Sequence, residues 1–112
     1  MRFKQSKYHN KTVTVDGIKF DSKKEAVRYR ELSLLERAKA IKDLNLQVKF
    51  ELIPKQKGER ACDYIADFTY YEKDQNGEWQ LVVEDCKGVR TDVYRIKRKL
   101  MLRVHNIKIR ET

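Results

Sequence analysis

Asn76-Gly77 stands between two stretches that read as strands, 61–71 and 79–86, and no other pair narrows the possible folds as much. Asn-Gly supplies the positive φ angles of a tight turn, so the two stretches are predicted to be antiparallel neighbours in one sheet. Side chains alternate across a strand. Leu81, Val83, Asp85 and Lys87 are therefore predicted on one face of the second strand, and Asp63, Ile65, Asp67 and Thr69 on one face of the first. Paired in register, the strands bring Asp67 and Asp85 together at one end of the sheet.

Asp16-Gly17 is a second turn signal, set between Thr12-Val13-Thr14-Val15 and Ile18-Lys19-Phe20, and predicts a short N-terminal hairpin. Ser22-Lys23-Lys24-Glu25 has the spacing of a capping box, in which Ser22 and Glu25 each satisfy a free backbone N–H of the other at a helix start. The helix is predicted to run to about residue 38. Its apolar Val27, Leu34, Leu35 and Ala38 cluster on one side, and Tyr29 and Leu32 widen the stripe enough to imply packing on more than one face. Residues 46–53 alternate and stop at Pro54, which has no N–H for a ladder, so they read as a strand. Beyond Gly88 the chain enters a second helix, about 93–104, with Ile96, Leu100 and Val104 on one side and Arg95, Arg98, Lys99 and Arg103 largely on others. Residues 107–109 read as a final short strand. The order hairpin, helix, three strands, helix, strand describes a mixed α/β domain.

With 112 residues the chain suits one domain spanning 1–112, since domains most often hold roughly 100–150. No apolar run approaches the about 18 residues of a membrane span, and the first seven residues lack the apolar stretch of a secretion signal, so a cytoplasmic protein is expected. Cys62 and Cys86 have no second Cys or His at ligand spacing and read as reduced packing residues. His9 and His105 have no sequence neighbours that suggest a hydrolytic triad or a zinc site.

The net charge of +9 favours a polyanionic partner such as nucleic acid. Its distribution adds more: residues 1–24 carry net +5, residues 25–85 net −3, and residues 86–112 net +7. A chain that only coated DNA gains nothing from carboxylates gathered mid-sequence, where they repel phosphate. Carboxylates that hold a metal ion, flanked by cationic segments that hold the backbone, account for both signs. Magnesium takes oxygen ligands, typically one or two protein carboxylates with water and phosphate completing the shell. Asp67 and Asp85 would supply those carboxylates, the carbonyl of Cys86 a further oxygen, and Lys87 a cation beside the scissile phosphate to orient water or stabilise developing charge. The alternative is an ordinary same-face Asp85–Lys87 pair at a strand end.

An Asp on a strand, a hairpin, an apolar strand ending in Asp-x-Lys and then a helix rich in Lys and Arg resembles the core of the PD-(D/E)XK nuclease superfamily. More narrowly, a set of short motifs is similar to a family of uncharacterised phage proteins assigned to that superfamily. They are Phe20 to Ala26 with Arg28-Tyr29; Leu32, Ile41, Leu44 and Gln47; Tyr64-Ile65-Ala66-Asp67-Phe68; Val83-Glu84-Asp85-Cys86-Lys87-Gly88 and Thr91; and Lys97 and Leu100. The resemblance covers about residues 8–110. It implies a restriction-endonuclease-like core, a mixed central sheet flanked by helices, and catalysis by Glu25, Asp67, Asp85 and Lys87 with Mg²⁺, for which Mn²⁺ would substitute. Gln47, Glu84 and Lys97 are possible auxiliary residues, Glu84 as a substitute ligand for Asp85. Glu25 has a competing role as the capping-box acid. The chain departs from the pattern in having Ala66, where a Pro is usual, before Asp67.

Phage enzymes of this kind include Holliday junction resolvases, so the resemblance implies branched DNA as substrate and a homodimer for paired cuts, with Tyr8, Tyr29, Tyr70 or Tyr71 as interface candidates. Arg95, Arg98, Lys99 and Arg103 are the expected DNA contacts. The alternatives are a nicking or processing nuclease without junction preference, and a basic DNA-binding protein without catalysis.

Overall fold

A computed structural model describes residues 12–86 and 90–112. Two three-residue strands, β1 (Val13–Val15) and β2 (Ile18–Phe20), form the expected hairpin. Asp16 and Gly17 both adopt positive φ, 53° and 78°, as a turn twisted with its strands requires. Helix α1 (Lys23–Arg37) begins where Ser22 Oγ accepts from the Glu25 N–H at 3.1 Å, and β3 (Ile41–Ile53) follows after three residues. Next come β4 (Cys62–Lys73), β5 (Trp79–Asp85), α2 (Asp92–His105) and β6 (Arg110–Glu111). The main sheet has the order β3-β4-β5-β6, antiparallel except for the parallel β5–β6 pair, so it is mixed as expected. Among the described residues no helix is long and apolar enough to cross a membrane.

Several local expectations need correction. In the β4–β5 turn only Gly77 takes a positive φ, 80°. The loop is instead organised by Asp74, whose carboxylate accepts from the N–H groups of Asn76 and Glu78. The last strand lies at Arg110–Glu111 rather than 107–109. On α1 the buried residues are Ala26 and Leu32, with Tyr29 half-buried against Phe20 at 5.1 Å, while Val27, Leu34 and Leu35 are exposed. That stripe packs the helix against both the hairpin and the main sheet, within one cluster that includes Val15, Phe20, Ile41, Phe68, Tyr70 and Val82.

Helix α2 departs further. Tyr94 and Met101 are buried, whereas Ile96 and Val104 are 57% and 48% exposed. The face turned inward carries Tyr94 and Met101, with Leu100 of the predicted stripe partly buried against the same cluster. Tyr94 donates its O–H to Glu111 at 2.6 Å, and Arg98, one turn on, donates to the same carboxylate at 3.0 Å. Tyr94 and Met101 belong to a second cluster with Leu52, Tyr64, Ala66, Val83 and Ile109. The neighbours Val82 and Val83 thus pack into different clusters, as adjacent residues on a strand with two covered faces must.

Candidate active site

The strict alternation assumed for β4 fails at Asp67. Phe68 stands opposite Glu84 and packs with the α1 cluster, yet Tyr64 and Ala66, of the same parity, belong to the α2 cluster. Ile65 is 52% exposed while Thr69 is buried. β3 shows the same exchange, because Leu44 and Leu46 pack with the α1 cluster and Phe50 and Leu52 with the α2 cluster. The register is unchanged across this point, with Leu46 opposite Phe68 and Val48 opposite Ala66. Between them Gln47 has φ 53°, a left-handed conformation that is uncommon outside glycine. The predicted face of Asp63, Ile65, Asp67 and Thr69 is therefore not one face.

This irregularity sits where the predicted residues meet. Phe68 and Glu84 form the last β4–β5 pair, and Asp67 and Asp85 are the next residues beyond it on the two strands. The Cys86 N–H, just past β5, donates to Asp67 Oδ2 at 2.8 Å and fixes that carboxylate against the strand end. Gln47, flanking Asp67 on β3, donates its side-chain N–H to Glu25 Oε2 at 3.3 Å and so links the first turn of α1 to the sheet end. The Glu25 backbone N–H closes the Ser22 cap, and its carboxylate accepts from Gln47.

Asp85 is 1% exposed, and its Oδ2 accepts from the Tyr64 hydroxyl at 2.5 Å. Burial, reinforced by the Asp85 carboxylate, raises the Tyr64 phenol far above its ordinary range, so it stays an O–H donor. The Cys86 thiol is pushed up to about 11, by burial first and then by the nearby Asp67, Glu84 and Glu25 carboxylates, against a lowering hydrogen bond with Thr112. Near neutral pH it remains a thiol.

Glu84 is placed elsewhere. Fully buried on the opposite side of β5 from Asp85, it accepts from Arg28 Nε at 2.6 Å and Nη2 at 3.0 Å, from Tyr70 at 2.6 Å and from Thr112 at 3.1 Å. Burial alone would raise its pKa, but these donors outweigh it and hold the carboxylate below the usual range. A group so occupied is an anchor between α1 and the sheet rather than a substitute for Asp85. Tyr70, tied to that anchor and 1% exposed, is no interface residue. Tyr8 and Lys87 lie outside the described residues.

Among the cationic residues, Arg98 is engaged with Glu111 and lies over the Tyr94 ring at 5.9 Å, so it supports the fold. Arg95 pairs with Asp92 at 3.4 Å on the surface, and Lys99 and Arg103 are exposed. Arg95, Lys99 and Arg103 form a cationic row at spacings of four. Half-buried Lys97 lines a cleft of about 300 Å³ with Asp63, Tyr64, Ile65, Thr91, Val93 and Tyr94.

A family model described as "Protein of unknown function (DUF1064)" matches residues 5–112. The chain belongs to this family. No curated protein and no solved structure matches the DUF1064 chain. Among its described residues no three His, Cys, Asp or Glu side chains gather as a metal cage. Asp67 and Asp85, each one residue beyond the last β4–β5 pair, offer two carboxylates, an all-oxygen set of the size magnesium ordinarily takes from a protein. By that measure the residues present fit the metal.

Proposed function

We propose that this protein is a magnesium-dependent endonuclease acting on DNA. The observation that carries the reading is that Asp67 and Asp85 lie one residue beyond the last β4–β5 pair, with the Cys86 N–H donating to Asp67 Oδ2 at the end of β5. Asp67 and Asp85 would hold the ion, with the Cys86 carbonyl as a further oxygen. A divalent ion there would supply Lewis-acid activation of water and offset phosphate charge. Glu25 and Gln47 stand beside the pair and would position the attacking water by hydrogen bonding. Lys87, two residues past Asp85 in sequence, is assigned by sequence alone to stabilise charge on the phosphate. The exposed row Arg95, Lys99 and Arg103 supports a polyanionic partner.

The finer reading is a homodimeric enzyme that cuts branched DNA, since two symmetric cuts from one site per chain require a two-fold pair. The test is incubation of a synthetic four-way junction, a matched linear duplex and a single strand with the protein in Mg²⁺ and in EDTA. Metal-dependent cleavage is expected, strongest on the junction. No cleavage of any substrate, together with retained DNA binding, would replace the enzyme by a basic binding protein. Equal cleavage of junction and duplex would leave a nuclease without junction preference.

A further inference from the structure

We propose that Tyr64 is a positioning residue that holds Oδ2 of Asp85, so that Asp85 presents only its other oxygen to a divalent ion and binds it through one atom. The inference rests on the metal-dependent reading above and adds to it a choice between ions.

Tyr64 precedes Asp67 by three residues, and in a strand of regular alternation it would share a side with Phe68, away from Asp85. The break at Asp67, opposite the left-handed Gln47, is what turns its ring into the α2 cluster and brings its hydroxyl 2.5 Å from Asp85 Oδ2. The ring is 3% exposed and has Phe50 and Tyr94 beside it, with centroids at 6.5 Å and 6.4 Å. Leu52, Ala66, Val83 and Met101 complete its surroundings. A ring enclosed in this way cannot swing aside when an ion arrives. Its hydroxyl donates to Asp85 Oδ2 over a short distance, which makes a directional bond.

An oxygen engaged in that bond is a poor second ligand, so chelation of one ion by both oxygens of Asp85 would require the bond to break. Magnesium and manganese in near-octahedral shells accept single carboxylate oxygens, whereas calcium, with its larger and more flexible shell, commonly takes both. Tyr64 therefore favours the smaller ions. Partners that orient a metal ligand typically matter by 10–100-fold in metal affinity.

The experiment is calorimetric titration of wild type and Tyr64→Phe with Mn²⁺ and with Ca²⁺, alongside thermal melting of both proteins in EDTA. Tyr64→Phe should bind Mn²⁺ about 10-fold or more weakly while Ca²⁺ affinity falls less or rises, so that the preference for manganese narrows. Equal Mn²⁺ affinity in the two proteins, or a parallel loss for both ions, would overturn the proposal. Absence of Mn²⁺ binding by wild type would instead overturn the metal reading itself. If the variant melts too low to titrate, infrared difference spectra of wild type and Asp85→Asn with and without Mg²⁺ decide the matter. The band assigned to Asp85 should show the wide carboxylate splitting of single-oxygen ligation, and a narrow, chelating splitting would refute it.

Discussion

Glu84 and Asp85 are adjacent acids near the end of β5, and the side of the strand that each occupies gives them opposite fates. Glu84 faces α1, meets Arg28, and is neutralised; Asp85 lies on the other side of the strand and meets the Tyr64 hydroxyl. Two substitutions separate these roles. Asp85→Ala should abolish the heat of Mn²⁺ binding with little loss of DNA affinity in EDTA, and unchanged heat would remove Asp85 from the site. Glu84→Ala strands the Arg28 guanidinium beside a cavity and should destabilise the fold by about 3–5 kcal/mol, the range for removing one partner of a buried ion pair. Chemical denaturation measures it, and a change within the range of ordinary surface substitutions would mean that Arg28 finds water instead. Lys87→Ala should abolish cleavage while sparing DNA binding, because one of 26 basic residues adds little to total phosphate attraction. A parallel fall in binding and cleavage, read by gel shift and cleavage assay, would make Lys87 a backbone contact.

At the scale of the element, α2 divides its charges between fold and surface. Arg98 is held by Glu111 and Tyr94, whereas Arg95, Lys99 and Arg103 line the outer side. Replacing Lys99 and Arg103 with Gln should therefore weaken binding to all DNA sequences alike. If both residues contact phosphates of duplex DNA, the slope of log affinity against log salt should flatten by about 2, at about 0.9 for each contact. Arg98→Gln should lower the melting temperature and leave that slope nearly unchanged. Fluorescence anisotropy over a salt series checks both, and a slope that responds to Arg98 but not to Lys99 and Arg103 would reverse the assignment.

For the whole molecule, three carboxylates join the elements and are held below their ordinary range. Arg110 lowers Glu72, Tyr94 with Arg98 and Arg90 lowers Glu111, and Arg28 with Tyr70 and Thr112 lowers Glu84 against the opposing effect of its burial. Because the folded values lie below the unfolded ones, their stabilisation is complete above the ordinary carboxylate range and is lost as pH falls through the depressed folded values. Melting temperature should stay level from neutral pH to about 5 and then fall steeply in acid. Glu84→Gln should start lower and fall less. A wild-type curve that stayed flat far into acid would show that these clamps do not govern stability.

The element order, the β4–β5 pairing and the Ser22 cap at the start of α1 were legible in the sequence, because turn residues and capping spacing act over a few neighbouring positions. The sequence also pointed to Gln47 and Glu25, which the structure joins by a hydrogen bond. Which face each residue takes beyond Asp67 depended on long-range packing, since the left-handed turn at Gln47 interrupts alternation without altering register, and a Gln gives no local warning of positive φ. For that reason Tyr64 could not be read as a neighbour of Asp85. The inner face of α2 was likewise settled by a partner distant in sequence: Glu111 draws Tyr94 and Arg98 inward and leaves Ile96 and Val104 in solvent, against their order of hydrophobicity.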